Sequence, residues 1–141
     1  DLLTLKNVFN DYYCKDISKK IRSSLKAKKL EGKFTGWKAP YGYKRRKDDY
    51  HKLEIDKKVY KNVKKIFELA LSNTPSEIAK ILNNQNISSP SKYACLKESK
   101  WTTKTIKDIL ENPVYIGTLA QGKRKKINYK LRQSINVPKN E

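Results

Sequence analysis

The chain has little cysteine and histidine, the side chains that most often hold zinc in proteins. Its 141 residues include only Cys14, Cys95 and His51 of these two types, and no Cys-x-x-Cys pair occurs. A zinc site built from protein ligands needs about four such groups. We therefore expect neither a metal site nor a cofactor in this chain. Two free thiols are typical of the reducing cytosol.

Long apolar runs and recognisable catalytic groups are also missing from the sequence. No apolar stretch approaches the roughly 20 residues that a membrane-spanning helix needs, and no signal peptide is evident. No carboxylate pair and no nucleophile beside a base stands out, so a self-contained enzyme is the least favoured class. The first residues lack methionine and begin within a helical pattern, which leads us to expect a cytoplasmic fragment of a longer protein.

Positive charge dominates what is present. Lys and Arg number 33 against 14 Asp and Glu, a formal net charge of +19. Such an excess costs stability through self-repulsion unless a polyanion offsets it, and nucleic acid is the leading candidate. An anionic membrane is less favoured because no basic amphipathic helix of the membrane-surface type stands out. A lysine-rich surface that is only solvated is the alternative.

Residues 5–30 are predicted to form a long helix. Val8, Ile17, Ile21 and Leu25 recur at helical spacing, and no strong breaker occurs before Gly32. The opposite face collects cations that could cross a DNA backbone; these are Lys15, Lys19, Lys20, Arg22 and Lys26. A surface helix whose lysines are merely solvated fits the same pattern.

Residues 32–55 are predicted to form a hairpin in which aromatic and cationic residues alternate. Glycines and Pro40 exclude a continuing helix, and Asp48-Asp49 is typical of a turn between two short strands. Such residues can grip a nucleic-acid backbone and stack on sugars or bases, and the candidates are Lys33, Lys38, Tyr43, Arg45 and Arg46. Alternatively, Trp37, Tyr41 and Tyr43 form the core of a small sheet.

A helical cluster is predicted to follow. We expect Asp56 to cap a helix whose apolar face runs from Val59 to Ala70. Thr74-Pro75-Ser76-Glu77 predicts a capping box with proline at the first helical position, and the helix then spans 75–83.

The rest of the cluster completes an α+β fold that is mostly helical. The pattern indicates a polar loop over 85–100, a short helix over 102–111 and a strand over 114–119. The tail, 121–141, has little core-forming content and is predicted to be an extended basic arm. Its candidate DNA-binding cations are Lys123, Arg124, Lys125 and Lys126, and Lys130 and Arg132 follow them.

The helix over 102–111 is the best candidate for contact with DNA bases. Thr102 is expected to stand at its N-cap. Its apolar stripe is Ile106, Ile109 and Leu110, and its first turn carries hydroxyls and a lysine. Paired with helix 75–83 it resembles a helix-turn-helix with an unusually long connection, in which the second helix enters the major groove. The predicted contacts are Thr102, Thr103, Lys104 and Lys107, whereas Trp101 is expected to pack this helix onto the core.

Several motifs together resemble the recombinase domain of the large serine recombinases. Their order and spacing carry the resemblance: Gly32-Lys33-Phe34, Pro40-Tyr41-Gly42-Tyr43, Leu53-Glu54-Ile55-Asp56, Val63–Glu68, Ile78–Asn83, and Trp101-Thr102 through Asn112-Pro113-Val114-Tyr115-Ile116-Gly117. Residues 10–22 resemble the long helix that leaves the catalytic domain in that family. The resemblance thus covers nearly the whole chain.

This resemblance implies the middle, DNA-binding segment of a site-specific recombinase such as a mobile-element integrase. In that family an upstream serine attacks a DNA phosphate, and cut ends are exchanged within a tetramer. Neither the nucleophile motif nor the downstream cysteine-bearing zinc ribbon occurs here, so we expect this fragment to bind an attachment half-site without cutting it. The implied domains are a linking helix over 1–31, a DNA-binding domain over 32–120 and a basic arm over 121–141.

The implied partner is double-stranded DNA, and the implied setting is a bacterial cytoplasm, at the nucleoid when DNA is bound. We expect the full-length parent to act as a dimer or tetramer on DNA, and the fragment alone to be a monomer without membrane contact. A helix-turn-helix transcription regulator and an RNA-binding protein remain the alternatives.

Overall fold

The computed structural model describes residues 1–126, 130 and 132–138. The chain divides into two compact units. We call Asp1–Gly36 together with Leu119–Glu141 the terminal unit, and Trp37–Thr118 the central unit. Helices predominate and the strands form small antiparallel pairs, so the predicted α+β, mostly helical fold is confirmed.

The terminal unit begins with a long helix, α1, over Leu2–Leu30. The Asp1 side chain caps it by accepting a hydrogen bond from the Leu3 amide at 3.3 Å. The helix is confirmed, but none of its residues is buried. Its apolar stripe, including Val8 and Ile21, therefore faces no core in the part of the chain that the structure describes.

The terminal unit also contains a two-stranded antiparallel hairpin, where the sequence predicted an extended arm. Strand β3 covers Arg124–Lys126 and β4 covers Ser134–Asn136, with Lys125 opposite Ile135. All six side chains are exposed, so no alternation of apolar and polar residues marks these strands. The prediction of a basic arm or linker over 121–141 did not include these strands, and 127–129, 131 and 139–141 lie outside the described part.

The central unit opens with the predicted hairpin. Strand β1 covers Tyr43–Arg45 and pairs antiparallel with β2 over Leu53–Ile55. Gly42 precedes β1 with a φ of +93°, a conformation that side chains with a Cβ rarely adopt. A Cβ there would also lie 2.8 Å from Val63 Cγ2, so both the turn and the packing require glycine.

Four helices and one turn of 3₁₀ helix form the rest of the central unit. Their bounds are α2 Tyr60–Leu69, α3 Pro75–Asn84, α4 Pro90–Tyr93, α5 Thr103–Leu110 and the 3₁₀ helix Pro113–Ile116. Helix α5 packs mainly on α3 and also on α2. Fully buried side chains of Ile66, Ile78, Leu82 and Ile106 join these helices. Burying each contributes about 1.5–3 kcal/mol.

The capping box of α3 is confirmed. The Glu77 amide donates to the Thr74 hydroxyl at 3.4 Å, and the Thr74 amide donates to the Glu77 carboxylate at 2.7 Å. The Thr74 amide and the Thr74 hydroxyl both donate to the Glu77 carboxylate and hold the pKa of Glu77 below its ordinary value. Pro75 occupies the first helical position, where no amide hydrogen is needed.

The predicted cap at Asp56 was wrong. Helix α2 begins at Tyr60, and Val59 stands at its N-cap without a side-chain hydrogen bond. The Asp56 side chain instead accepts from the Lys58 amide at 3.0 Å, closing a turn before the helix. Aspartate is favoured both in local turns and at helix caps, so the residue type alone does not separate the two.

The predicted strand over 114–119 was also wrong, because Pro113–Ile116 forms a 3₁₀ helix. The Asn112 side chain caps it at the Val114 amide, 3.1 Å away, and Gly117 ends it with a φ of +88°. Proline at the first position favours a helical start over a strand. The loop predicted over 85–100 likewise contains a short helix, α4, begun by Ser89 and Pro90.

Candidate nucleic-acid interface

Helix α5 starts at a well-defined cap. The Thr102 hydroxyl accepts a hydrogen bond from the Thr105 amide at 3.2 Å and also bonds the Thr105 hydroxyl at 3.0 Å. The predicted N-cap is confirmed. Because the Thr102 hydroxyl is occupied in capping, its proposed contact with DNA would have to share that oxygen.

Trp101 fixes the position of α5 on the core. Its indole is 3% exposed, packs edge-to-face on Tyr41 with ring centroids 5.5 Å apart, and donates its Nε1–H to the Ile87 carbonyl at 2.9 Å. The Asn83 side chain also binds the Trp101 backbone, accepting from its amide at 2.8 Å and donating to its carbonyl at 3.0 Å. The prediction that Trp101 packs is confirmed. The role of Asn83 was not foreseen, since its spacing from Trp101 reveals no contact.

The outer face of α5 carries the predicted contacts. Thr103, Lys104 and Lys107 are exposed, whereas Ile106 and Ile109 face the core. Lys104 bonds Asp108 one turn along the helix at 2.8 Å. Fully exposed pairs of this kind contribute little to stability, so Lys104 can exchange Asp108 for another anion at small cost.

The cations of the β1–β2 hairpin are engaged by neighbouring residues. Arg46 pairs with Asp48 at 2.5 Å, and the Arg46 guanidinium is the main reason that the pKa of Asp48 lies below its ordinary value. Arg45 lies over the Tyr50 ring at 4.0 Å and donates to the Tyr50 carbonyl at 2.8 Å. The hairpin therefore offers less free positive charge than its sequence suggests.

Two shallow cavities of the central unit meet at Lys38. One, of about 310 Å³, is also lined by Tyr43 and Arg45 of the hairpin. The other, of about 250 Å³, is lined by Thr105 and Asp108 of α5. Of the predicted contacts, Lys38, Tyr43 and Arg45 are thus brought together, and Lys38 links them to the base of α5.

Asp56 is the buried acid of the first cavity. It is 8% exposed and accepts a hydrogen bond from the Tyr93 hydroxyl at 2.7 Å. Burial by itself would raise the pKa of Asp56, but the Tyr93 hydroxyl, the Lys58 amide and the nearby lysines outweigh it. The pKa consequently lies below its ordinary value.

The remaining predicted contacts lie in the terminal unit. Along α1, Lys20 pairs with Asp16 at 2.8 Å and Arg22 donates to the Ser18 carbonyl at 3.2 Å. The Asp16 carboxylate raises the pKa of Lys20. Exposed Lys15, Lys19 and Lys26 share this helix, and Lys33 follows it, 2.5 Å from Glu31.

The β3–β4 hairpin presents its cations on both faces. Arg124 and Lys126 lie on one face and Lys125 on the other, as alternation along a strand requires. Lys123 precedes the strand, and its carbonyl accepts from the Val137 amide at 2.9 Å. Within the terminal unit, Lys130 pairs with Asp11 of α1 at 2.7 Å.

One cationic face was missed at the level of sequence. Five lysines lie on α2 and in the turn just before it: Lys57, Lys58, Lys61, Lys64 and Lys65. Their spacing of three, four, seven and eight residues was a usable signal. From this helix the sequence analysis predicted only the apolar face that packs on the core, and it made no prediction for the lysines.

The described residues form no group of three or more histidine, cysteine or acidic side chains that could hold a metal ion. None of the helices they form is both long and apolar enough to cross a membrane.

By fold, the chain is a mostly helical α+β protein with concentrated positive charge. It belongs to the Recombinase family, whose sequence model matches residues 57–141. The family points to a role in site-specific recombination, with DNA as the implied partner. Among curated proteins and among solved structures, none matches this chain significantly.

Proposed function

We propose that the chain binds one half of a recombination attachment site in duplex DNA, with α5 in the major groove. The observation that carries the proposal is the construction of α5. Its inner face is fixed by Trp101, Ile106 and Ile109, so its exposed residues project from a rigid support. A recognition helix needs such a support, because base edges are contacted by only a few side chains held in register.

The first turn of α5 fits this role in detail. Thr103 and Lys104 stand at the helix N-terminus, where hydroxyl and ammonium donors can contact phosphates and base edges. Lys107 follows on the same face, and lysine donates to guanine O6 and N7 in the major groove. Asp108 and Glu111 lie further along this face and would repel phosphates, which favours an approach by the N-terminal end.

Trp37, Lys38, Tyr43 and Arg45 support this placement as flanking residues. Trp37 is 79% exposed, and the other three line the cavities that extend from α5 to the hairpin. An exposed aromatic beside cations suits contact with sugars and phosphates. In the terminal unit, the cations of α1 and of Lys123–Lys126 would bind phosphates without selecting a sequence.

Selection of the 141-residue chain on a randomised duplex library tests the proposal. We expect a consensus of a few base pairs to be enriched, and the selected duplex to bind more tightly than its scrambled version at moderate salt. Structured RNA competes in a parallel arm. If no consensus emerges, or if RNA binds as tightly as the selected duplex, the proposal is wrong.

A further inference from the structure

A cluster of lysines in the central unit lies on and just before α2, apart from α5 and the β1–β2 hairpin. We call Lys57, Lys58, Lys61, Lys64 and Lys65 the lysine face of α2. Val63 and Ile66 of α2 are buried, whereas Lys61 and Lys64 of the same helix are exposed and Lys65 is half-buried. Lys57 and Lys58 are exposed in the turn just before the helix. Only one acidic residue, Glu68, stands among residues 57–69.

Acidic residues hold few of these lysines. Lys64 is 3.9 Å from Glu68, the limit of an ion pair, and Lys65 bonds the neutral Gln85 side chain. In the part of the chain that the structure describes, Lys57, Lys58 and Lys61 have no acidic partner within 4.0 Å. On α5, by contrast, Lys104 pairs with Asp108 at 2.8 Å.

The lysines near the N-terminus of α2 destabilise this helix. The first turn of α2 contains no acidic residue, and its N-cap, Val59, makes no side-chain hydrogen bond. Lysines at a helix N-terminus face the positive end of the helix dipole and are unfavourable there. Helix stability therefore does not account for these lysines, whereas a bound polyanion would.

We infer that the lysine face of α2 binds the phosphate backbone of duplex DNA without regard to sequence, and that it supplies affinity while α5 supplies specificity. This inference rests on the proposed function. Phosphates complement these five lysines, three on α2 and two in the turn that leads into it, and each neutralised phosphate releases condensed cations. A membrane surface fits less well, because membrane-bound helices insert their apolar face, and here Val63 and Ile66 are buried in the core.

The test is the salt dependence of DNA binding by the whole chain carrying Lys61→Ala with Lys64→Ala. Alanine is favourable in a helix, so the variant should fold. We expect the slope of log affinity against log salt to fall by about 1.8, and affinity at 0.1 M salt to fall on the order of 10- to 100-fold. Cognate and scrambled duplexes should lose affinity equally.

Two further variants control for charge and for structure. Lys80→Ala with Lys97→Ala removes the same charge from exposed positions outside α2 and should change the slope by less than half as much. Lys61→Arg with Lys64→Arg keeps the charge and should keep the slope. An unchanged slope in the α2 alanine variant overturns the inference, as does an equal loss in the Lys80 and Lys97 control.

The two proposals fail in different ways. If α5 does not select a sequence, the unmodified chain shows no preference between cognate and scrambled duplexes, yet the slope still depends on α2. If the lysine face does not contact DNA, the parent still prefers the cognate duplex over the scrambled one, and the α2 alanine variant binds with the parent's affinity.

Discussion

Replacing Trp101 by alanine removes the side chain that joins α5 to the rest of the central unit. The indole is 3% exposed, packs on the Tyr41 ring and donates to the Ile87 carbonyl. The substitution leaves a cavity beside Tyr41 and leaves the Ile87 carbonyl without this donor. Both effects act on the folded state of the central unit.

The expected loss is large for a domain of this size. A buried tryptophan replaced by alanine costs about 3–5 kcal/mol, out of the roughly 5–15 kcal/mol that stabilise a typical domain. Trp101→Phe keeps an aromatic ring but loses the indole N–H. An unsatisfied buried carbonyl costs about 1–3 kcal/mol, so this variant should lie between the parent and Trp101→Ala.

Urea denaturation followed by near-ultraviolet circular dichroism is the suitable assay. Helix α1 has no buried residue, so a far-ultraviolet signal would mix its unfolding with that of the central unit. The tyrosines packed in the core, Tyr41 and Tyr115, give a signal that depends on tertiary packing. With a slope of about 2 kcal/mol per molar urea, a loss of about 4 kcal/mol lowers the midpoint by about 2 M.

Trp37→Ala is the matched control, since it makes the same chemical change at a side chain that is 79% exposed. Its midpoint should move by less than the equivalent of about 0.5 kcal/mol. The reasoning is refuted if Trp101→Ala unfolds at the parent's midpoint while losing DNA affinity. The indole would then be a contact with DNA and not a packing side chain.

Three further predictions concern the support of α5 and the turns of the central unit. In Gly117→Ala the added Cβ has no neighbouring atom within 4 Å, so only backbone strain of about 1–2 kcal/mol should lower stability. Gly42→Ala should cost about 1–3 kcal/mol more, because its Cβ also collides with Val63. Thermal denaturation of the two variants compares these losses. Asp56 has a folded-state pKa below its unfolded value of about 3.9, so its stabilisation is present above that pH and is lost as the pH falls through the folded pKa. The stability advantage of the parent over Asp56→Asn should therefore shrink in acid, and an advantage that grows there contradicts the assignment. Thr102→Ala should cost about 0.5–2 kcal/mol in urea denaturation and Thr102→Ser should restore most of it, because serine also caps α5.

Local signals in the sequence predicted the elements that depend on local chemistry. The capping box at Thr74 and Glu77 and the N-cap at Thr102 were confirmed, because both depend on residues within one helical turn. The prediction that Trp101 packs on the core was also confirmed. The apolar stripe of the short helix that follows it showed that this segment lies against the core.

Elements that depend on competing turn chemistry were predicted less well. Asp56 closes a turn and does not cap α2, and Pro113 begins a 3₁₀ helix where a strand was predicted. Aspartate occurs both in turns and at caps, and the apolar residues after Pro113 suggested a strand although proline at this position favours a helical start. The β3–β4 hairpin escaped prediction because its exposed side chains leave no apolar alternation.

The electrostatics of the candidate interface could be predicted only in part. The sequence supplied the net charge of +19, but not which cations are paired. Arg46 was predicted to contact nucleic acid, but in the structure it forms an ion pair with Asp48. The lysine face of α2 was visible as a spacing pattern, but that Lys64 lies near Glu68 while Lys61 has no acidic partner within 4.0 Å among the described residues depends on the folded structure.

The claim that α5 selects a DNA sequence is tested most directly by comparing two single lysine substitutions. Lys107→Ala acts on the outer face of α5, and Lys80→Ala makes the same change on the exposed side of α3. For each protein, the ratio of dissociation constants for scrambled and selected duplexes is measured at one salt concentration. A lost base contact costs about 1–3 kcal/mol of discrimination, so Lys107→Ala should lower the ratio about 5- to 150-fold while Lys80→Ala leaves it unchanged. Equal ratios for Lys107→Ala and the parent would contradict the assignment of α5 as the recognition helix.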